Sequence, residues 1–388
     1  DSLLYINDVS TDFFTFSANN DKVFYIKSIK KNTGDLILVE YDIPASKAEE
    51  KSFHISGDYL KDIEQNLHSF SIEQNRIVFL TQEHVYEFIE SSKNIYKINR
   101  DISLQARHTV RYLHIETYNG RIWIGRYNKM IQNKSPFFEW LFIDSNSTTF
   151  NTLYKQYDDI GKSLISPQKS YATLNKNILA YISPVDSKIR IMYENSGKVN
   201  EEIIDFAPKG WHPFKRDIIK SIEIEYERKP NYKLLDSIAY LETKVYSSIS
   251  HIALLDTNRI LISYVINDTL KSQSNNFYSV TSDFYVDIWS KKGSKWQPEL
   301  SQARDYPMTS KYNSDSLISK QNFELLSAFS FSIRGKKNRL MSFRTDGYPL
   351  FKWGDSWSDF YNKQRNGRSS GQVKPVLLIY KYLGGATN

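Results

Sequence analysis

Residues 115–125 read IETYNGRIWIG. An alternating apolar stretch runs into Asn119-Gly120, a basic residue follows, and the chain restarts as Ile122-Trp123-Ile124. Asn and Gly tolerate the positive φ of a tight hairpin turn, and β-branched or aromatic residues then favour a second strand. The stretch is therefore a two-stranded hairpin.

Working outward, the same pattern occurs at FSANNDKVFYI (16–26), FSIEQNRIVFL (70–80), ATLNKNILAYI (172–182), ALLDTNRILISY (253–264) and FSIRGKKNRLMSF (331–343). The turn cores are Asp21-Lys22-Val23, Asn75-Arg76-Ile77, Gly120-Arg121-Ile122, Asn177-Ile178, Asn258-Arg259-Ile260 and Asn338-Arg339-Leu340, and the copy at 172–182 lacks the basic residue. A third apolar strand follows each hairpin, at 36–43, 85–89, 137–143, 189–193, 284–289 and 376–383. In most units a polar turn leads to a fourth, weaker strand, such as 94–98 or 199–206. Four antiparallel strands repeated along the chain predict an all-β, six-bladed β-propeller. The expected single domain has blades at 11–56, 68–100, 109–155, 169–206, 248–300 and 325–383. The last unit ends after its third strand, and 2–7 (SLLYIN) belongs to no unit. Pairing the two closes the ring and covers two strand edges.

The chain has 388 residues and no cysteine, which excludes disulfides, zinc ribbons, iron–sulfur clusters and thiol nucleophiles. Its 56 Tyr, Phe and Trp residues exclude disorder. It contains no HExxH, GxSxG, GxGxxG, P-loop or DxDxDG sequence, so no metal, nucleotide or other cofactor is expected. The net charge of +7 is uneven: residues 1–100 carry −5 and 301–388 carry +8. Arg334, Lys336, Lys337 and Arg339 cluster at a hairpin turn, away from the aromatic residues a single-stranded nucleic acid would stack on, so no nucleic-acid partner is expected. No apolar run approaches the ~18–20 residues that span a bilayer. The opening at Asp1 without Met leads us to expect a removed leader, with any membrane contact through a lipid-bearing residue before Asp1.

Propeller connectivity makes the long stretches informative. Second-to-third-strand loops and inter-blade crossovers leave one face, and first-to-second-strand turns leave the other. The longest irregular stretches, 207–248, 267–283 and 344–375, all fall on the first face. Long loops in a compact domain are commonly functional, so this face is the expected ligand platform. In the first stretch, Pro230 as a first helical residue and Leu234, Leu235, Ile238, Leu241 and Val245 predict a helix over 231–246, within a helical insertion at 207–247. Before it, Gly210-Trp211-His212-Pro213 is expected to present an aromatic ring and an imidazole. In the last stretch, Trp353, Trp357, Phe360 and Tyr361 interleave with Asp355, Asp359, Arg365 and Arg368. Such a set suits stacking on a sugar ring or a protein hot spot, and equally a mini-core pinning the loop.

The NR[IL] turns, a helix before the fifth unit, YVDIWSKKG at 285–293 and LLIYKYL at 377–383 resemble the TolB-like six-bladed propeller lipoproteins of Bacteroidetes. The resemblance implies an exported, lipid-anchored envelope protein, in the periplasm or at the cell surface, and carries over no catalytic residues. Together these readings predict a non-catalytic recognition propeller that binds a glycan or an envelope or surface protein. The ligand-binding candidates are Trp211, His212, Trp353, Asp355, Trp357, Asp359, Tyr361, Arg365 and Arg368. The alternative is a glycosidase or lyase using acids on the same face.

Overall fold

A computed structural model describes residues 2–6, 16–19, 21–30, 32–55, 59–104, 110–128, 138–156, 171–182, 187–213, 215–231, 233–234, 246–271, 278–306, 332–336, 339–345 and 375–381. Strand β1 (Ser2–Ile6) stands apart from the first sheet, which comprises β2 (Phe16–Asn19), β3 (Lys22–Lys30), β4 (Asp35–Asp42) and β5 (Lys47–Ile55). Helix α1 (Tyr59–Asn66) leads to β6 (Ser69–Glu73), β7 (Arg76–Leu80), β8 (His84–Ser92) and β9 (Ile95–Ser103). The third sheet holds β10 (Val110–Tyr118), β11 (Arg121–Asn128), β12 (Phe138–Ile143) and β13 (Asn151–Gln156). The fourth holds β14 (Tyr171–Asn175), β15 (Ile178–Ile182), β16 (Lys188–Asn195) and β17 (Lys198–Asp205). After α2 (Arg216–Arg228) come β18 (Ser248–Asp256), β19 (Arg259–Lys271), β20 (Tyr278–Lys292) and β21 (Lys295–Tyr306). The last strands are β22 (Ser332–Lys336), β23 (Arg339–Thr345) and β24 (Pro375–Lys381).

All six quoted hairpins are antiparallel pairs. The first two four-stranded units join into one eight-stranded sheet, because β5 pairs in parallel with β9 at His54↔Ile95 and Ile55↔Tyr96. Gly34 sits at this seam with φ +73, and a Cβ there would meet Ile55 O at 3.1 Å. β1 completes the last sheet by pairing with β24, as the unassigned strand in the sequence requires. The first strands of successive units are neighbours: β2 with β6, then β10, β14, β18 and β22, and β22 with β2 again. This arrangement is β-propeller-like.

The core lies between sheets. Side chains alternate along a strand, so one strand serves two interfaces. On β7, Ile77 and Phe79 face the first sheet while Val78 and Leu80 pack with Ile122 and Ile124 of the third. On β15, Leu179 and Tyr181 join Trp123 and Trp140, while Ile178, Ala180 and Ile182 join Ile252 and Ile260. Both strands are buried along their whole length, and apart from the ion-paired Arg76 they read as apolar runs.

Two local expectations are corrected, and two helices come in addition. Within the 207–247 insertion the structure describes helix α2, in addition to the helix expected over 231–246, whose residues 233–234 are helical. Ile218, Ile222 and Tyr226 recur at helical spacing there, and Pro230 pushes the preceding Lys229 into extended backbone, ending the helix. Beyond it, Lys233 and Leu234 are helical and Lys233 N–H donates to the Asn231 side chain, so Pro230 lies outside the helix it was expected to start. Residues 235–245 lie outside the described residues. Helix α1 had no counterpart in the sequence reading. Finally, the two sides of the expected loop 267–283 are strands: β19 and β20 stay paired from Asn267↔Ser282 to Lys271↔Tyr278, and 272–277 lie outside the described residues. Backbone pairing sustains a two-stranded ribbon whose residues are polar, and Thr269, Val280 and Thr281 favour it.

Candidate functional site

The connections between second and third strands and the inter-sheet crossovers leave one end of the sheets, here the insertion end. The opposite, turn end carries the hairpins 19–22, 73–76, 118–121, 175–178 and 256–259.

At the insertion end, α2 follows a segment pinned at both sides: His212 N–H donates to Ser247 Oγ at 3.0 Å, and Ser247 N–H returns to His212 O at 3.0 Å. The His212 ring side of the turn is exposed, as expected. Trp211 is only partly exposed. Its ring makes edge contacts with Phe206 (5.3 Å) and Tyr264 (6.0 Å), and its indole nitrogen is buried. The driving force is apolar: a ring placed after the tight turn at Gly210 (φ +82) falls onto the cluster shared by the fourth and fifth sheets. Trp211 therefore anchors the insertion. The candidates Trp353, Asp355, Trp357, Asp359, Tyr361, Arg365 and Arg368 lie outside the described residues.

Helix α2 carries the apolar surface the sequence reading missed. Ile222 and Tyr226 are half-buried, whereas Ile218 and Ile224 are 39% and 42% exposed. The signal was available in the spacing of RDIIKSIEIEYER, whose isoleucines outnumber what one buried stripe uses.

Polar side chains at the same end are already paired. Asp62 of α1 accepts from Asn66 (2.6 Å), Thr81 (2.9 Å) and Tyr86 (3.0 Å). Burial works to raise its pKa, but these hydrogen bonds outweigh it and hold the carboxyl below its ordinary value. His84 stacks on Tyr86 and bonds Asp101 at 2.7 Å. Arg126 donates to Glu139 at 2.6 Å, and Arg190 lies 3.3 Å from Glu201 and over the Tyr181 ring. Among the described residues no three His, Asp or Glu side chains gather as a metal site, and no helix is long and apolar enough to cross a membrane.

The turn end is built differently. The basic residue of the repeated turn staples strands and sheets together. Arg76 donates to Glu73 (2.7 Å), Glu87 (3.1 Å) and the Gly120 carbonyl of the next sheet (2.8 Å). Arg100 forks onto the same Glu87 and reaches the carbonyls of Asp144 and Ser147. Glu87 is 1% exposed; its burial opposes ionisation, yet bonds from Arg100 and Asn99 hold its pKa down. Arg121 bonds Asp144 (2.8 Å), approaches Glu194 of the fourth sheet (3.5 Å) and lies over the Phe142 ring. In the copy lacking the basic residue, Asn177 Nδ2 donates to the Glu194 carbonyl instead.

No protein-family model matches the chain, and no curated protein matches its sequence. Among solved structures, it is similar to a Saccharomyces cerevisiae assembly of Dbp5 with Nup159, Gle1, IP6 and ADP (10% identity, TM-score 0.36, covering 78% of this chain and 66% of that one). It is also similar to the N-terminal domain of Nup159 (9%, TM-score 0.38, 75% and 61%). A third is a putative 6-phosphogluconolactonase from Bacteroides fragilis (7%, TM-score 0.34, 74% and 82%). The chain spans less than two thirds of the length of the first two. With TM-scores below 0.5, none of these likenesses bears on what the chain binds or does.

Proposed function

We propose that this chain is a six-bladed β-propeller of the bacterial envelope, of the TolB-like kind, that recognises a partner protein through its insertion end. Six blades are supported by the circuit of first strands from β2 through β22 back to β2, and by β1 supplying the last sheet's fourth strand. The envelope setting rests on the motifs quoted from the sequence.

The observation that carries the recognition reading is the pair of exposed isoleucines on α2. An exposed apolar side chain on a surface helix gains free energy when a partner covers it, and apolar anchors ringed by charge are what protein interfaces use. Asp217, Glu225, Glu227 and Arg228 supply that ring. With Trp211 packed by its ring edges against Phe206 and Tyr264, the glycan reading rests mainly on the sequence of 344–375.

The test compares the wild-type chain with an Ile218→Asp, Ile224→Asp variant, both immobilised. Each is exposed to envelope extract and to a labelled panel of neutral and acidic polysaccharides. Loss of a discrete protein by the variant, with an unchanged melting temperature, supports the partner reading. Polysaccharide retained or cleaved equally by both, with no protein difference, overturns it.

A further inference from the structure

The geometry points to β1 as an exchangeable strand, with β1 of a second copy of this chain as its replacement on β24. Five other outer strands exist, β5, β9, β13, β17 and β21, and each is tied to its own third strand by a short connection of consecutive residues. β1 is not. Its partner β24 is more than 370 positions away, and the pairing runs only from Ser2↔Lys381 to Ile6↔Leu377. Among the described elements, β24 is the one it packs along.

Withdrawing β1 leaves β24 paired on one side alone, by β23. The open edge reads PVLLIYK, and an uncovered strand of this composition templates the pairing of another strand. The sequence that fits it in register is SLLYI, which every copy carries. Residues 7–15 connect β1 to β2. Passing from the outer strand of the last sheet to the inner strand of the first takes at most about 24 Å, three strand spacings of ~4.8 Å and one sheet spacing of ~10 Å. Nine extended residues reach about 30 Å. Nine residues are thus long enough for β1 to leave while β2 stays in place. Cis and trans pairing make the same contacts, so their balance is set by effective concentration, typically on the order of millimolar for a short connection. Closure within one chain then dominates in dilute solution, and exchange grows with protein concentration.

The absence of cysteine makes this testable. Leu4 and Ile379 are directly opposed, at a separation that antiparallel neighbours share with disulfides. A Leu4→Cys, Ile379→Cys double variant is expected to close its own disulfide under mild oxidation. A mixture of the two single variants is expected to yield a disulfide-linked dimer of one chain of each, identified by peptide mapping, rising with concentration above either single variant alone. Closure of the double variant with no mixed dimer at any concentration overturns the proposal. Failure of the double variant to close overturns it too, since the pairing itself would then be wrong.

Discussion

The turn end and the insertion end of this molecule use charge in opposite ways. At the turn end, side chains from one sheet reach the next: Arg76 to the Gly120 carbonyl, Arg100 to the carbonyls of Asp144 and Ser147, and Arg121 to the Glu194 carboxylate. Farther round, Lys291 and Trp296 of the fifth sheet both bond Glu202 of the fourth. At the insertion end, the charged groups pair within a sheet or between a sheet and its adjoining helix, as with Arg126–Glu139 and Asp62–Tyr86, and a bond that crosses sheets there is a neutral one, from the Tyr127 hydroxyl to the Ile182 carbonyl. Apolar surface shows the reverse: α2 leaves Ile218 and Ile224 uncovered. One end holds the sheets in register, and the other is left free to vary. Buried charge networks make the first costly to change, while solvent-facing residues of a crossover carry little stability.

The sharpest way to break this comparison is Glu87→Ala. It leaves two guanidinium groups facing one another in a buried site, at a cost of about 3–5 kcal/mol. Urea denaturation with an unchanged slope measures it, and a loss under ~1 kcal/mol would erase the distinction between the ends. The next effect is that of acid. Glu87, Glu202 and Asp62 all have folded pKa values held below normal, against the opposing pull of burial. Their contribution is complete above the ordinary carboxylate range, near pH ~4–4.5, and is lost as pH falls through the folded values. Melting temperature is thus expected to stay level from pH 7 to about 5 and then fall, and Glu87→Ala flattens that fall. Arg121→Ala, at a site one third exposed, is expected to cost about 1 kcal/mol through its lost carboxylate and ring contacts. Smallest is the Ile218→Asp, Ile224→Asp pair, within about 0.5 kcal/mol of wild type. A larger loss would mean that α2 braces the fold.

Much of the architecture was legible before any coordinates. Asn119-Gly120 adopts positive φ at both residues, and the runs RIVFL and ILAYI are buried as their apolar character requires. In two turns the strained position shifted: Gln74 and Lys176, not the Asn that follows each, have positive φ. At the site, legibility failed. The sequence supported a helix after Pro230, but it also held a helical spacing before it. The polar stretch 267–283 read as a loop because local composition does not register pairing with a strand some ten residues away.

What the sequence determined by itself was local: hairpin turns through backbone permissiveness, strands through alternation, and the six repeated hairpins through their common pattern. Tertiary structure decided whatever depends on a neighbouring sheet. Trp211 is a core anchor because Phe206 and Tyr264 converge on it, and Glu87 can be buried as an anion because Arg76 and Arg100 meet there. Burial and pairing depend on which strands and sheets are brought side by side, and the local pattern of residues does not specify that.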